Sequence, residues 1–274
     1  MTRGAFLALV AGAVAVIVAP VHAQEVSELR VREAIDDAAR GLGQAIAAGS
    51  PLTGPAGTTG GLGRIRVGAA VTATDIEIDD PQRASGTVGF VLPVATITGA
   101  VGILGGSGSG FGALDIIGRA GPVLAREQIA ESPLLVSLGV RIGILREGAL
   151  FPDASVSVIR SRVNDLAYGE EDDEVSFDGE VRTVSLRVDV SKRFLLVAPY
   201  AGAGLDRTEI EAAYRIPEEQ STGGDEIKGR IEASGTHPRT YAGVELALAL
   251  LAISVEVGTA GGERFGALGA RLGF

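Results

Sequence analysis

Leu134-Leu-Val-Ser-Leu-Gly-Val-Arg-Ile-Gly-Ile144 is the stretch that decides the fold class. Its even-numbered positions, Leu134, Val136, Leu138, Val140, Ile142 and Ile144, are all aliphatic. Its odd-numbered positions are Leu135, Ser137, Gly139, Arg141 and Gly143. A helix would scatter the aliphatic set around its circumference, whereas a strand puts all of it on one side. Period two therefore predicts a strand with one oily face and one small or charged face.

The same period recurs on both sides of this stretch. Val184, Leu186, Val188 and Val190 alternate with Thr183, Ser185, Arg187, Asp189 and Ser191. Leu251, Ile253, Val255 and Val257 alternate with Ala252, Ser254, Glu256 and Gly258. Residues 63–74 and 264–274 repeat the pattern. Turn chemistry between such runs predicts ten strands, at 61–75, 86–104, 111–121, 133–146, 151–163, 179–192, 195–214, 238–248, 251–260 and 264–274. Pro93 interrupts the second, which reads either as one strand or as two short ones.

Upstream the pattern changes. Val26, Leu29, Ile35, Leu42 and Ile46 fall mostly on one face of a helix over 25–48, which Gly49-Ser50-Pro51 ends. A glycine-rich linker, 54–61, follows. The helix reads as packed beneath the main domain, with entry into it as a plug as the alternative. Further upstream, Arg3, the apolar run Ala5–Ala19 and Val21-His22-Ala23 read as an export signal, with the mature chain starting at Gln24. That run is short for a spanning helix, which needs about 20 apolar residues. The expected organisation is thus 1–23 signal peptide, 24–60 helix and linker, 61–274 strands.

Downstream of the signal no apolar run is long enough to cross a bilayer as a helix. If the mature chain lies in a membrane it must do so as a closed barrel, because lipid cannot satisfy unpaired backbone N–H and C=O groups. Glycine supplies 40 of 274 residues, about twice its ordinary share. Cysteine is absent, so no disulfide staples the fold. The whole chain carries a net charge of −10, and removing the signal takes away only Arg3 among charged residues. This acidity argues against nucleic acid as a partner. The expected fold is an all-β, antiparallel transmembrane barrel of about ten strands (range 8–12) with a short periplasmic N-terminal helix. A secreted β-sandwich is the non-membrane alternative.

The terminal segment Arg264-Phe-Gly-Ala-Leu-Gly-Ala-Arg-Leu-Gly-Phe274 resembles the last strand of bacterial outer-membrane β-barrels, which typically ends in Phe after alternating apolar residues. The resemblance implies outer-membrane lipid as surroundings and recognition of Leu268, Leu272 and Phe274 by the barrel assembly machinery. It also implies a periplasmic C-terminus. The connections at 105–110, 147–150, 193–194 and 249–250 would then lie inside, and the longer polar ones outside. Phe151, Phe194 and Phe274, with Phe111 nearby, would form an inner aromatic belt, and Tyr214, Tyr241 and Phe265 a thin outer one.

With aliphatic faces toward lipid, the charges must line the interior. This set is Arg64, Arg66, Asp115, Arg119, Arg141, Arg187, Asp189, Asp206, Glu245, Glu256 and Arg271. An Arg or Lys on the lipid face near the midplane costs about 2–4 kcal/mol, so inward placement is strongly favoured. Two interiors fit: a closed core of Arg–carboxylate pairs, or a narrow water-filled pore kept open by inward glycines such as Gly139, Gly202 and Gly258. The functional expectation is a narrow pore or transport-like barrel for ions or small polar solutes. The alternative is a non-conducting structural or interaction barrel that binds a partner through its outer loops.

Catalytic readings find little support. His237 is the one histidine after the signal, next to Pro238 in an expected external loop, and Ser234 would face away from it. A lipid-modifying enzyme is therefore disfavoured, and no cofactor or metal is expected. The run Glu170–Glu174 lacks the spacing of a calcium loop and reads as a solvated acidic loop. Gly105–Gly110 has no Lys and opens no helix, so it reads as a flexible turn.

Overall fold

The computed structural model describes residues 41–49, 54–79, 87–108, 111–124, 133–164, 176–216, 227–248 and 250–273. The export segment, the first part of the expected helix, the run Glu170–Glu174 and Phe274 lie outside these residues.

Period two becomes ten strands: β1 (Ile65–Asp79), β2 (Thr87–Leu104), β3 (Leu114–Pro122), β4 (Leu134–Leu145), β5 (Asp153–Val163), β6 (Ser176–Ser191), β7 (Val197–Ile216), β8 (Ile227–Leu248), β9 (Leu251–Ala260) and β10 (Glu263–Gly273). Each pairs antiparallel with its neighbours in sequence, and β1 closes on β10, from Arg66 opposite Gly273 to Thr74 opposite Phe265. Closure leaves no unpaired edge, the condition a strand-built wall must meet in lipid. Alternation is kept along the strands except at two bulges near strand ends, at 102–104 of β2 and 143–145 of β4. On β4, Val136, Leu138 and Val140 are exposed on the outer wall, while Ser137 and Arg141 are buried inside. No helix among the described residues is long and apolar enough to cross a membrane.

One mouth of the barrel, here called lower, holds the start of β1 and the end of β10. The other, upper mouth holds the β9–β10 turn, where Gly261 and Gly262 have φ of 61° and 108°. Such a two-residue turn needs positive φ at both positions, which glycine adopts without strain. Near the lower mouth Phe111, Phe151 and Phe194 are 64%, 63% and 61% exposed, forming the expected belt. The upper belt differs from expectation. Tyr241 and Phe265 are buried on the inner face, and Tyr214's side chain is outside the described residues. On β8, Tyr241 shares the inward parity of Glu245.

Two strand readings change. β2 is one strand, with Pro93 opposite Ala73 of β1 and just beyond the Val94–Val123 bridge to the β3 side. β8 begins eleven residues earlier than expected, at Ile227, and pairs with β7 along its whole length. His237 and Pro238 therefore lie in a strand, not in an external loop. Pro238 sits just above the first β8–β9 pair, Arg239 opposite Ala260, so the proline falls where the ladder ends on that side.

The largest correction concerns the N-terminal segment. Its described helical part, α1 (residues 41–47), is not beneath the barrel but inside it. Gly41 lies against Ile76 and Gln44 against Gly261, both toward the upper mouth. Gly49 reaches Thr72 at mid-height, Gly54 reaches Glu245 and Arg271, and Gly61 reaches Gly105 at the lower mouth. The chain thus descends through the lumen before turning into β1. An amphipathic pattern specifies that a helix has an apolar face but not which surface receives it.

Candidate functional site

The inward-facing residues divide the lumen into two zones by their chemistry at successive heights. In the upper zone the inward residues from β1 to β7 include an aliphatic collar, Ile76, Leu92, Val94, Val123, Leu135, Val163, Val181 and Ile210, while β8 and β10 bring Arg239 and Phe265. The collar surrounds Leu42, Ala45 and Ile46 of α1. Burying Ile46 completely is worth about 2–3 kcal/mol.

Below this collar the inner face turns polar, and two arginines take the end of the helix. Arg119 donates from Nη2 to the Ile46 carbonyl at 2.7 Å and from Nη1 to Ala48 at 3.2 Å. Arg187 donates from Nη2 to Ala47 at 2.6 Å and from Nη1 to Gly49 at 2.7 Å. The last carbonyls of a helix have no partner within it and carry the negative end of its dipole, so cations there satisfy both needs. Gly49, with φ of 76°, turns the chain out of the helix as a left-handed C-terminal residue.

The glycine-rich strap that follows is fixed at each step by wall side chains. Ala56 N donates to Ser191 Oγ at 2.9 Å. Thr59 gives its N–H and its hydroxyl to the two oxygens of Asp115, at 2.8 and 2.6 Å. Arg66 donates to the carbonyls of Gly57 and Thr58 at 2.6 and 2.7 Å, and Arg141 to Gly57 at 3.4 Å.

Other luminal charges satisfy each other. Arg271 makes a two-point pair with Glu245, at 2.5 and 2.7 Å. Arg239 donates to Asp206 at 2.7 Å, and Ser185 takes the second oxygen of that carboxylate at 2.5 Å. Tyr241 donates its hydroxyl to Asp189. His237 stands opposite Asp206 in the β7–β8 register.

The expected lining set largely comes together. Asp115, Arg119, Arg141, Arg187, Asp189, Asp206, Glu245 and Glu256 are buried inside, and Arg66 and Arg271 partly so. Arg64 is the exception: it precedes β1 and is exposed at the lower mouth. Three glycines with positive φ, Gly60, Gly61 and Gly63, delay the start of the strand past it. Arg239 was missed, although the inward parity of Glu245 on the same strand points to it. The interior glycines also behave differently from expectation. A methyl group on Gly202, Gly243 or Gly258 would overlap the ring of Tyr241, Tyr200 or Phe265, its partner on the next strand. These glycines seat aromatic rings and do not hold space for water. Arg239 lies over the Phe265 ring, 5.4 Å from its centre.

A closed antiparallel barrel with an oily exterior, a charged interior and ten strands is the architecture of bacterial outer-membrane β-barrels. No protein-family model matches the chain, and no curated protein matches it in sequence. Solved structures with a similar fold are outer-membrane barrels. The attachment invasion locus protein Ail of Yersinia pestis is 14% identical, covering 78% of this chain and 99% of its own, with a TM-score of 0.33. The outer membrane protease OmpT from Escherichia coli is 10% identical, covering 79% and 100%, with a TM-score of 0.44. Neisserial surface protein A is 14% identical, covering 77% and 97%, with a TM-score of 0.30.

Proposed function

We propose that the protein is a pore-type outer-membrane barrel held shut by its own N-terminal segment, and that withdrawal of the segment uncovers a passage for small anions or anionic polar solutes. One observation carries this reading. Residues 41–49 and 54–61 lie in the lumen, and Arg119 and Arg187 direct their guanidinium donors to backbone carbonyls of residues 46–49. A wall that closed on itself would pair these arginines with its own carboxylates. With the segment gone, Arg66, Arg119, Arg141 and Arg187 would lose the carbonyls they now serve, whereas Arg239 and Arg271 would keep Asp206 and Glu245. Asp115 would lose Thr59 at the same time, and the arginines released still outnumber it, so the uncovered surplus is cationic, which favours anions in a narrow, low-dielectric passage.

Planar-bilayer recording tests the proposal. The full mature chain should be silent, and a variant lacking residues 25–60 should give stepwise, anion-preferring currents. Arg187→Glu in that variant should move the preference toward cations. A deletion variant that folds and stays silent overturns the pore reading. It would favour a non-conducting interaction barrel, for which β7 and β8, extending past the apolar belt, would offer the surface.

The reading assigns no catalysis to the chain. Signal cleavage near Ala23 and assembly through β10 belong to it, the latter supported by Leu268 and Leu272, which are exposed on the outer wall of β10.

A further inference from the structure

The outer wall of β5 to β8 changes character abruptly toward the upper mouth. Val158, Leu186 and Leu205 are the last rung to be apolar across all three of β5, β6 and β7. The next rung up places Arg160 opposite Val184, and Val184 opposite Arg207. The rung above that opposes Arg162 directly to Arg182, with Glu209 beyond. The third rung is acidic on all three of β6, β7 and β8, with Glu180, Glu211 and Glu232 in line. Moving outward from the oily belt, the first charged rung is cationic, the second mixed and the third acidic.

The second rung is neutralised from above, and the first is neutralised only in part. Like charges directly opposed across two strands are destabilising unless an anion is shared between them. Glu180 supplies one from above, accepting from both Arg162 and Arg182. Arg207 is held by Glu209 at 3.1 Å but is 66% exposed on its side chain. Arg160 is exposed, and among the described residues no acid pairs with it. The acids draw the guanidinium groups upward, leaving the side toward the belt open.

We propose that Arg160, Arg162, Arg182 and Arg207 form a binding site for the phosphate groups of lipids in the leaflet at the upper mouth. A phosphate offers oxygens that match the planar fork of arginine, and two or more forks can share one phosphate. The acyl chains of the same molecule would lie along Val158, Val184, Leu186 and Leu205 directly below. Continuity of these arginines with the apolar belt is what selects a phosphorylated lipid over free phosphate.

The test is a titration of the detergent-folded full-length barrel with bis-phosphorylated lipid A, its dephosphorylated form, and inorganic phosphate, read by native mass spectrometry. Wild type should bind the phosphorylated lipid, bind the dephosphorylated lipid roughly tenfold or more weakly, and ignore millimolar inorganic phosphate. Arg160→Ser with Arg207→Ser should lose roughly tenfold or more for the phosphorylated lipid and nothing for the other. Equal affinity of wild type for both lipids overturns the proposal, as does full competition by inorganic phosphate. Should the double variant misfold, Arg160→Lys with Arg207→Lys keeps the charge, and the wild-type comparison of the two lipids stands by itself.

Discussion

The upper and lower halves of the lumen hold the same segment by opposite means. Above, the side chains of Leu42, Ala45 and Ile46 meet a collar of aliphatic side chains. Below, Gly49, Gly57, Thr58 and Thr59 are held by Arg187, Arg66 and Asp115 through hydrogen bonds to charged groups. Contact in the upper half is non-directional and tolerates small shifts. Contact in the lower half is directional, and an unmatched group there remains as a buried charge. The seal and the latch are thus separate, so each can be broken without the other.

Breaking the latch should have the larger effect. Arg187→Ala removes two charge-assisted bonds and orphans the Ala47 and Gly49 carbonyls, at a cost of about 3 kcal/mol. Hydrogen exchange over residues 41–49 should accelerate far more than exchange in β6 itself. Equal acceleration in both would mean that Arg187 stabilises the wall and not the plug.

Breaking the seal should cost less per site. Ile46→Ala leaves a cavity inside the collar and should destabilise the docked segment by about 2–3 kcal/mol, without altering charge selectivity in any current that appears. A changed selectivity would show that the two halves are coupled.

The smallest effect is expected where charges are exposed on the outer wall. Glu180 sits below the usual carboxylate range because Arg182, and then Arg162, hydrogen-bond to its ionised form. A depressed carboxylate contributes stability above its unfolded value and loses it as pH falls through the folded one. Glu180→Gln should therefore leave thermal stability within about 1 kcal/mol at neutral pH and remove a small acid-side decline. A large loss at pH 7 would contradict the contrast between buried and exposed charge.

Much of this was legible in period two. Alternation in Leu134–Ile144 settles which side of β4 meets lipid, and the same parity put Arg141, Arg187 and Glu256 inside. The position of α1 was not legible, because the collar and the underside of a barrel offer similar apolar surfaces to one amphipathic helix. Nor was the upper half of β8, where Ser234-Gly-Thr-His-Pro238 has the composition of a turn. Pairing with β7 along the full strand overrides that local preference, as tertiary context commonly does. The role of Gly202 and Gly243 was hidden for another reason. A glycine that seats a ring and one that leaves a gap look alike until the partner strand's register is known.

The central claim is that the segment preceding β1 occupies the lumen. The chain has no cysteine, so a single engineered pair reports on this directly. Gly41 packs against Ile76 on the inner face of β1, where a Cβ on residue 41 would lie 3.7 Å from that of Ile76, a separation that a disulfide spans. Mild oxidation of folded Gly41→Cys with Ile76→Cys should join the two thiols within one chain, altering its mobility on a denaturing gel. Thiols that stay separate in the folded barrel, and react freely with a water-soluble maleimide, would contradict the plugged lumen.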